Sequence, residues 1–555
     1  MHFKRPNLNL LMYFRSRFEG LFASLRKRRE DSRDALQAAW GKEVLRERYP
    51  YQLSRYHDLV AGGRVSVDEA TWQDLGMEEV FAKLDRTLSF PGRQVLYHQL
   101  KTYEEDGAAL AERARQHAIF RSDPAMGEKA QQRLGGLDGP DAAWLSPLLL
   151  TDLPEKPRWA WLIHLFGALP LVCFFGMVWL PALLIPGIIL AFVNLAIYET
   201  YGRRITPYFG GLLQLHRLLR VAEGLSTLTD VHGLPQLEDL EHIAPVRMVL
   251  KKRLGWLAVD REKLGDLIQS LIGYINLITL VDIQVFLQSL AVLRRNQAAL
   301  VKMFEAVGSL DAAISVASYM DGLAVVTVPT LAGGRCIEAV GLYHPLLADP
   351  VGNPFQGEER SVLITGSNMA GKTTFLRTVG INVILAQTLN LCLAERALLP
   401  RAIVRSSIRR EDQLGRGESF YFVELERIRD MIRDAETGHL HLFLLDEIFR
   451  GTNTLERISA ATAVLHHLGQ RHLAMVTTHD LELQDLLADS YEMYHFSEQI
   501  VDGGCGFDYR IQPGPTKERN AIRLLELNGY PATITREARR VADRLAAHME
   551  PGIEH

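Results

Sequence analysis

The chain has 555 residues, enough for several domains and at least one well-buried core. Its formal net charge of −4 gives no global attraction to nucleic acid, which leaves only a local basic face to serve that purpose. The four cysteines (Cys173, Cys336, Cys392, Cys505) are scattered, with neither metal-ligand spacing nor a disulfide pattern, and read as reduced thiols in a cytosolic setting.

No apolar core with a small-residue cleavage site follows Met1, so no signal peptide is expected. Residues 1–50 instead carry 12 Lys+Arg against 6 Asp+Glu. Within them Leu11, Phe14, Phe18, Leu21, Phe22 and Leu25 recur at helical spacing ahead of Arg26-Lys27-Arg28-Arg29. That pattern fits a basic amphipathic helix on an anionic membrane, and equally a soluble helix with a solvated basic end. From Val65 to about Leu150 the pattern is helical, punctuated by turns at Asp138-Gly139-Pro140 and Leu153-Pro154-Glu155-Lys156-Pro157.

From Trp159 to Tyr198 there is no Asp, Glu, Lys or Arg. One spanning helix needs ~20 apolar residues, so this 40-residue stretch predicts two transmembrane helices joined near Leu180-Pro181. Pro181 would open the second helix. Trp159, Trp161, Trp179 and Tyr198 stand near the predicted ends, where interfacial aromatics sit. Lys156 and Arg158 precede the hairpin and Arg203 and Arg204 follow it, which places both flanks on the cytoplasmic side. The competing reading is a pair of buried core helices, which rarely run so far without a charge.

Residues 205–330 return to long helical patterns. After Gly333-Gly334, short β-rich runs alternate with helices and Gly-rich turns, the signature of an α/β nucleotide-binding domain. Ser361-Val362-Leu363-Ile364-Thr365 reads as a buried strand running into Gly366-Ser367-Asn368-Met369-Ala370-Gly371-Lys372-Thr373-Thr374 and then a helix. This is the phosphate-binding G-x-x-x-x-G-K-T in its required strand–loop–helix setting. The loop backbone and helix N-terminus would cradle ATP phosphates, Lys372 would neutralise their charge, and Thr373 would ligate Mg²⁺. His441-Leu442-Phe443-Leu444-Leu445-Asp446-Glu447 predicts a second buried strand. Asp446 then becomes a candidate for the Mg²⁺ shell and Glu447 for the general base. A third strand, Leu473-Ala474-Met475-Val476-Thr477-Thr478, would deliver His479 to the same sheet edge, in reach of a γ-phosphate or the attacking water. The Gly-rich stretch Asp412–Tyr421 suits phosphate contact, though by itself it could be any surface loop.

These segments together resemble the MutS family of DNA mismatch-repair ATPases. The resemblance is carried by Thr365-Gly366-Ser367-Asn368-Met369-Ala370-Gly371-Lys372-Thr373-Thr374-Phe375-Leu376-Arg377, by Asp446-Glu447-Ile448-Phe449-Arg450-Gly451-Thr452-Asn453-Thr454, and by Thr477-Thr478-His479-Asp480. Leu527-Asn528-Gly529-Tyr530-Pro531 and the basic helix after it resemble the family's dimerisation segment. Weaker likeness extends over residues 80–150 and 205–340. The resemblance implies a homodimer with composite sites, in which Ser419 of one subunit reaches the γ-phosphate held by the other. Glu418 and Phe420 stand where the family usually has Arg and Thr, which points to a differently tuned contact. Arg17-Phe18-Glu19 is not the family's mismatch-reading motif in its setting, so no mismatch-reading domain is expected at the N-terminus.

The resulting expectation is an α/β P-loop (ABC-type) ATPase domain at the C-terminus, preceded by an all-α core or lever domain that a two-helix transmembrane hairpin interrupts. Its divisions are 1–80 (basic helical segment), 81–155 (helical core), 156–204 (hairpin), 205–335 (helical core or lever) and 336–555 (ATPase and dimerisation segment). Catalysis falls to Glu447, His479 and Ser419, nucleotide binding to residues 366–374, and metal ligation to Thr373 and Asp446. ATP and Mg²⁺ are the implied cofactors. DNA, repair-type proteins and a bilayer at residues 159–198 are the implied partners, with both soluble parts facing the cytoplasm. The alternatives are a nucleotide-gated membrane scaffold for proteins and a transport ATPase. The latter is disfavoured because the Leu-Ser-Gly-Gly-Gln signature is missing and only 74 residues separate Lys372 from Asp446.

Overall fold

The computed structural model describes residues 34–44, 50–138, 140–228, 233–254, 274–367, 370–408, 420–501, 504–516, 525 and 529–549. The basic amphipathic stretch at 10–29 lies outside the described residues, as do Asn368, Met369, Ser419, Leu527 and Asn528. The chain divides into two compact units: residues 1–63, 83–99 and 115–323 form the first, and 64–82, 100–114 and 324–555 the second.

The first unit is helical among the described residues. Its best-buried element is the helix Gln297–Asp321, where nearly every residue from Met303 to Met320 is out of water. A helix buried on all sides cannot show an amphipathic stripe, and this one is apolar or small around its whole circumference. The helix Phe90–Lys101 crosses it closely. A Cβ on Gly308 would lie 2.5 Å from Val95 and 2.9 Å from the Pro91 carbonyl oxygen. Asp311 caps that partner helix from the side: its carboxylate accepts from the backbone N–H of Leu88 at 3.1 Å and of Ser89 at 2.7 Å, and from the Ser89 hydroxyl at 2.6 Å. Burial nevertheless lifts the Asp311 carboxyl to about 6.

The uncharged stretch forms two helices, Ala160–Gly176 and Leu184–Ile197, joined through Met177–Leu180 and a short 3₁₀ turn at Pro181–Leu183. Only the helical run Pro181–Gly202 is both long and apolar enough to cross a bilayer among the described residues; Ala160–Gly176 is shorter at 17 residues. The two pack together, with Gly187 against Cys173 and the Asn194 side chain donating to the Phe166 carbonyl at 2.8 Å. Their other faces are open, leaving Trp161, Val172, Phe175, Trp179, Ile185 and Phe192 exposed. Leu184–Ile197 passes through a five-residue π turn, Tyr198–Gly202, into Arg203–Ser226 without a break.

The second unit holds ten strands among the described residues. A four-stranded sheet has the order β1 (Thr330–Ala332), β5 (Arg396–Pro400), β2 (Ile337–Leu342), β3 (Asn353–Gly357). A six-stranded sheet has the order β10 (Gly504–Pro513), β9 (Tyr491–Val501), β4 (Ser361–Thr365), β8 (Leu473–Thr478), β7 (His441–Asp446), β6 (Ile403–Ser407). Strands β9, β4, β8, β7 and β6 run parallel, and β10 is antiparallel to β9. The central strands are buried on both faces, which is why they read as unbroken apolar runs.

Two upstream segments, 64–82 and 100–114, group with this second unit. The edge strand β6 supplies the physical reason. Its outward-pointing N–H groups at Val404, Ser406 and Ile408 donate to the Tyr103 hydroxyl, the Thr71 hydroxyl and the Asp74 carboxylate at 3.0–3.1 Å. Buried Asp74 also accepts from Ser406 Oγ at 2.8 Å and Arg427 at 2.7 Å. Side chains thus close an edge that would otherwise offer unpaired donors to another strand.

Candidate nucleotide site

Register decides what meets at the carboxyl ends of the strands. Thr365 of β4 lies beside Thr478 of β8, and Thr477 beside Asp446 of β7. Ligands of open α/β sheets sit at this edge. Gly366, at φ +134°, turns the chain out of β4, and a Cβ there would meet the Phe496 carbonyl oxygen at 2.6 Å. Gly371, at φ +101°, stands before the helix Lys372–Thr388, whose N-terminus has no side-chain cap. The Ser367 hydroxyl is buried without a hydrogen-bond partner. Uncapped helix N–H groups and an orphaned hydroxyl in a glycine-built turn are the donors that a phosphate chain satisfies.

Lys372 is buried at the centre. Its ammonium donates to the carbonyls of Gly366 at 2.6 Å and Ser367 at 2.9 Å and stands 3.3 Å from His479 Nε2. Burial pulls its pKa down to about 8, with Asp446 opposing the shift. The Thr373 hydroxyl donates to Asp446 Oδ2 at 3.1 Å, and Thr477 donates to the other Asp446 oxygen. Asp446 is thereby oriented from both sides. A paired hydroxyl and carboxylate suit Mg²⁺, which takes few protein ligands and completes its shell with phosphate and water.

Glu447 follows in a left-handed conformation, φ +56°, with its N–H donating to the Thr477 carbonyl at 2.9 Å. That turn aims its carboxylate back over the sheet edge, 3.0 Å from His479 Nε2, and Arg450 is ion-paired with it. Burial, and then the nearby Lys372 charge, hold His479 below its ordinary pKa, so at neutral pH it is the uncharged imidazole. One nitrogen cannot serve both neighbours at once. Protonated, Nε2 donates to Glu447; bare, it accepts from Lys372. Phe449 is also left-handed, φ +61°, and its N–H donates to Glu424 at 2.6 Å, fixing the turn after β7.

Of the sequence-predicted residues, the structure brings Gly366, Ser367, Ala370, Gly371, Lys372, Thr373, Thr374, Asp446, Glu447 and His479 to one edge. Sequence reasoning missed a neighbouring cavity of ≈ 390 Å³ lined by His344, Leu347, Phe375, Phe496 and Tyr509, among others, which opens beside Gly371 and Thr374. These residues come from separate stretches of chain and follow no local motif. Thr477 stands in the Thr477-Thr478-His479-Asp480 motif, but its role as the second support of Asp446 appears only once β7 and β8 are paired side by side.

Residues 362–546 match the family model of MutS domain V. The chain is 32% identical over 206 residues to the DNA mismatch repair protein MutS of Thermus thermophilus, covering 37% of this chain and 25% of that protein. It is 32% identical over 216 residues to the same-named protein of Thermus aquaticus, covering 38% and 26%. For Geobacillus kaustophilus the figures are 31% over 254 residues, 43% and 28%. The matched region thus spans about a quarter of the length of these curated relatives. The likeness to MutS is thus carried by the C-terminal third of the chain, residues 362–546, which matches domain V of that family.

Proposed function

We propose that the protein is a dimeric ATPase, membrane-anchored, that couples its nucleotide state to holding DNA. The observation that carries the ATPase reading is the meeting of Lys372, Thr373, Asp446, Glu447 and His479 at one sheet edge, in the domain that is the ATPase domain of MutS. Lys372 and the loop 366–374 bind and orient the phosphates of ATP. The apolar and aromatic cavity beside Gly371 has the character of a base-binding pocket. Mg²⁺, held by Thr373 and Asp446, would offset phosphate charge. Glu447, ion-paired with Arg450, accepts the proton of the attacking water, and neutral His479 orients that carboxylate through Nε2.

Exposed Phe422, Val423 and Leu425, on the helix Phe420–Asp434 that follows Ser419 in sequence, support a second copy docking there and completing the site in trans. The open apolar faces of the two helices between Trp159 and Tyr198 support a bilayer as their surroundings, and the flanking Lys156, Arg158, Arg203 and Arg204 support a cytoplasmic placement of both soluble parts. DNA as the ligand rests on the MutS relatives alone. The deciding measurement is the ATPase rate of the detergent-purified protein with and without duplex DNA over a salt series. A DNA-stimulated rate that fades with salt fits the proposal. A rate blind to DNA favours the alternative of a nucleotide-gated scaffold for membrane proteins. Extraction by alkaline carbonate without detergent would remove the anchor from either reading.

A further inference from the structure

The two apolar helices do not stand alone in the first unit. A third segment, residues 274–280, reaches them and stops abruptly. Its helix ends at Leu280, which takes the left-handed conformation (φ +55°) without being glycine, and the next helix, Val281–Arg295, starts at once. Such a break leaves backbone carbonyls without helical partners, and here they are satisfied by side chains. The Ile278 carbonyl accepts from Asn194 of the second apolar helix. The Thr279 carbonyl accepts from Gln284 Nε2 at 2.8 Å, and Gln284 Oε1 meets His164 of the first apolar helix at 3.0 Å. Asn276 closes the turn, accepting from the Asp282 N–H at 2.8 Å and donating to its carboxylate.

The break also sits at a defined level. A Cβ on Gly167 would touch the Thr279 carbonyl oxygen at 2.3 Å, so the bare glycine lets that turn approach. Gly167 lies eight residues beyond Trp159, ~12 Å along the helix. With Trp159 at the interface, that distance approaches the middle of a hydrocarbon core ~30 Å thick. The segment turns apolar side chains outward at this depth: Tyr274, Ile275 and Val281 are exposed. Irregular backbone is tolerated in lipid only where protein groups satisfy it, and the Asn194 and Gln284 bonds supply that condition.

From this we infer that the lipid-contacting surface comprises three chain segments, the third being the broken helix around Leu280, which dips into the bilayer beside the hairpin. The inference rests on the membrane reading of the hairpin. Its test is photocrosslinking of the full-length protein in phosphatidylcholine–phosphatidylglycerol vesicles. A diazirine side chain is installed at Ile275 or Val281, at Phe175 as the hairpin reference, or at Leu486 of the second unit as the aqueous reference. These side chains are exposed, so the replacements do not disturb packing. Lipid adducts detected by mass spectrometry are expected at 275, 281 and 175 and not at 486. Adducts at 175 with none at 275 or 281 would overturn the third segment and leave the hairpin standing. The absence of adducts at 175 as well would overturn the membrane reading and this inference with it.

Discussion

Replacing Glu447 by Gln separates chemistry from binding. The amide keeps the shape of the side chain and an oxygen that still accepts from His479 Nε2, 3.0 Å away. It also keeps the left-handed backbone cost at φ +56° unchanged. What it loses is the basicity that takes a proton from water and the charge opposite Arg450. General-base catalysis contributes roughly 10²–10⁴-fold, so the hydrolytic step should slow by that factor, about 3–5 kcal/mol of barrier. Affinity should move by less than about tenfold, because Lys372 and its carbonyl partners at 2.6 and 2.9 Å are untouched. Single-turnover quench-flow on prebound ATP reads the first quantity and a fluorescent-nucleotide titration the second. Hydrolysis at the wild-type rate would refute the base assignment. A rate and an affinity that fall together would place Glu447 in binding instead.

The pKa of Lys372 is depressed to about 8 because an ammonium is buried before phosphate arrives, so below pH 8 the charge costs the nucleotide-free fold stability. Lys372→Met should raise the melting temperature of the nucleotide-free protein and abolish the further rise on adding ATP with Mg²⁺ in a thermal-shift assay. Ser419→Ala and Lys372→Ala should each be inactive alone, yet regain about one working site when mixed as heterodimers; silent mixtures with heterodimers present would exclude completion in trans. Gly308→Ala, pushed against Val95 and the Pro91 carbonyl, should cost ~1–3 kcal/mol in chemical denaturation of the first unit while ATP binding persists. Burial, followed by the neighbouring His472, lowers the pKa of His441 to about 4 against an unfolded value near 6.5. The unfolded chain therefore binds the extra proton first, and stability should fall as pH drops from about 6.5 to about 4, a slope that His441→Gln flattens in pH-resolved denaturation.

The parts of the fold that sequence announces are those whose physics is local. Strands β4, β7 and β8 are buried on both faces and so appear as continuous apolar runs, and the glycines of the 366–371 turn mark positions where a side chain would collide with its surroundings. Parallel strands put the residues at their carboxyl ends along one edge, which is why Lys372, Asp446 and His479 can be associated without seeing the sheet. Non-local partnerships leave no such trace. Nothing in Thr71, Asp74 or Tyr103 says that they cap the β6 edge more than 300 residues later. Asp311 reads as one acidic residue in a helix, and only the approach of Phe90–Lys101 makes it a cap. The cavity at Phe496 and Tyr509 depends on how β9 and β10 fold back beside the P-loop helix, which no spacing encodes.

The uninterrupted run from Leu184 through the π turn to Ser226 has a mechanical meaning. It is 226 − 184 + 1 = 43 residues of helix, a rod ~64 Å long, and it has no loop in which twist could dissipate. The azimuth of Asn194 on that rod is therefore locked to the azimuth of Leu212, Leu215 and Leu219, which are buried in the core. Adding one residue between them would rotate one end by about 100° relative to the other and swing Asn194 away from Phe166 and Ile278. Adding seven, close to two whole turns, would nearly restore the phase while lengthening the rod. The five-residue π turn takes up a fixed increment of that phase, so its length behaves as a gear setting between the apolar helix and the core: change the tooth count and the two ends no longer mesh.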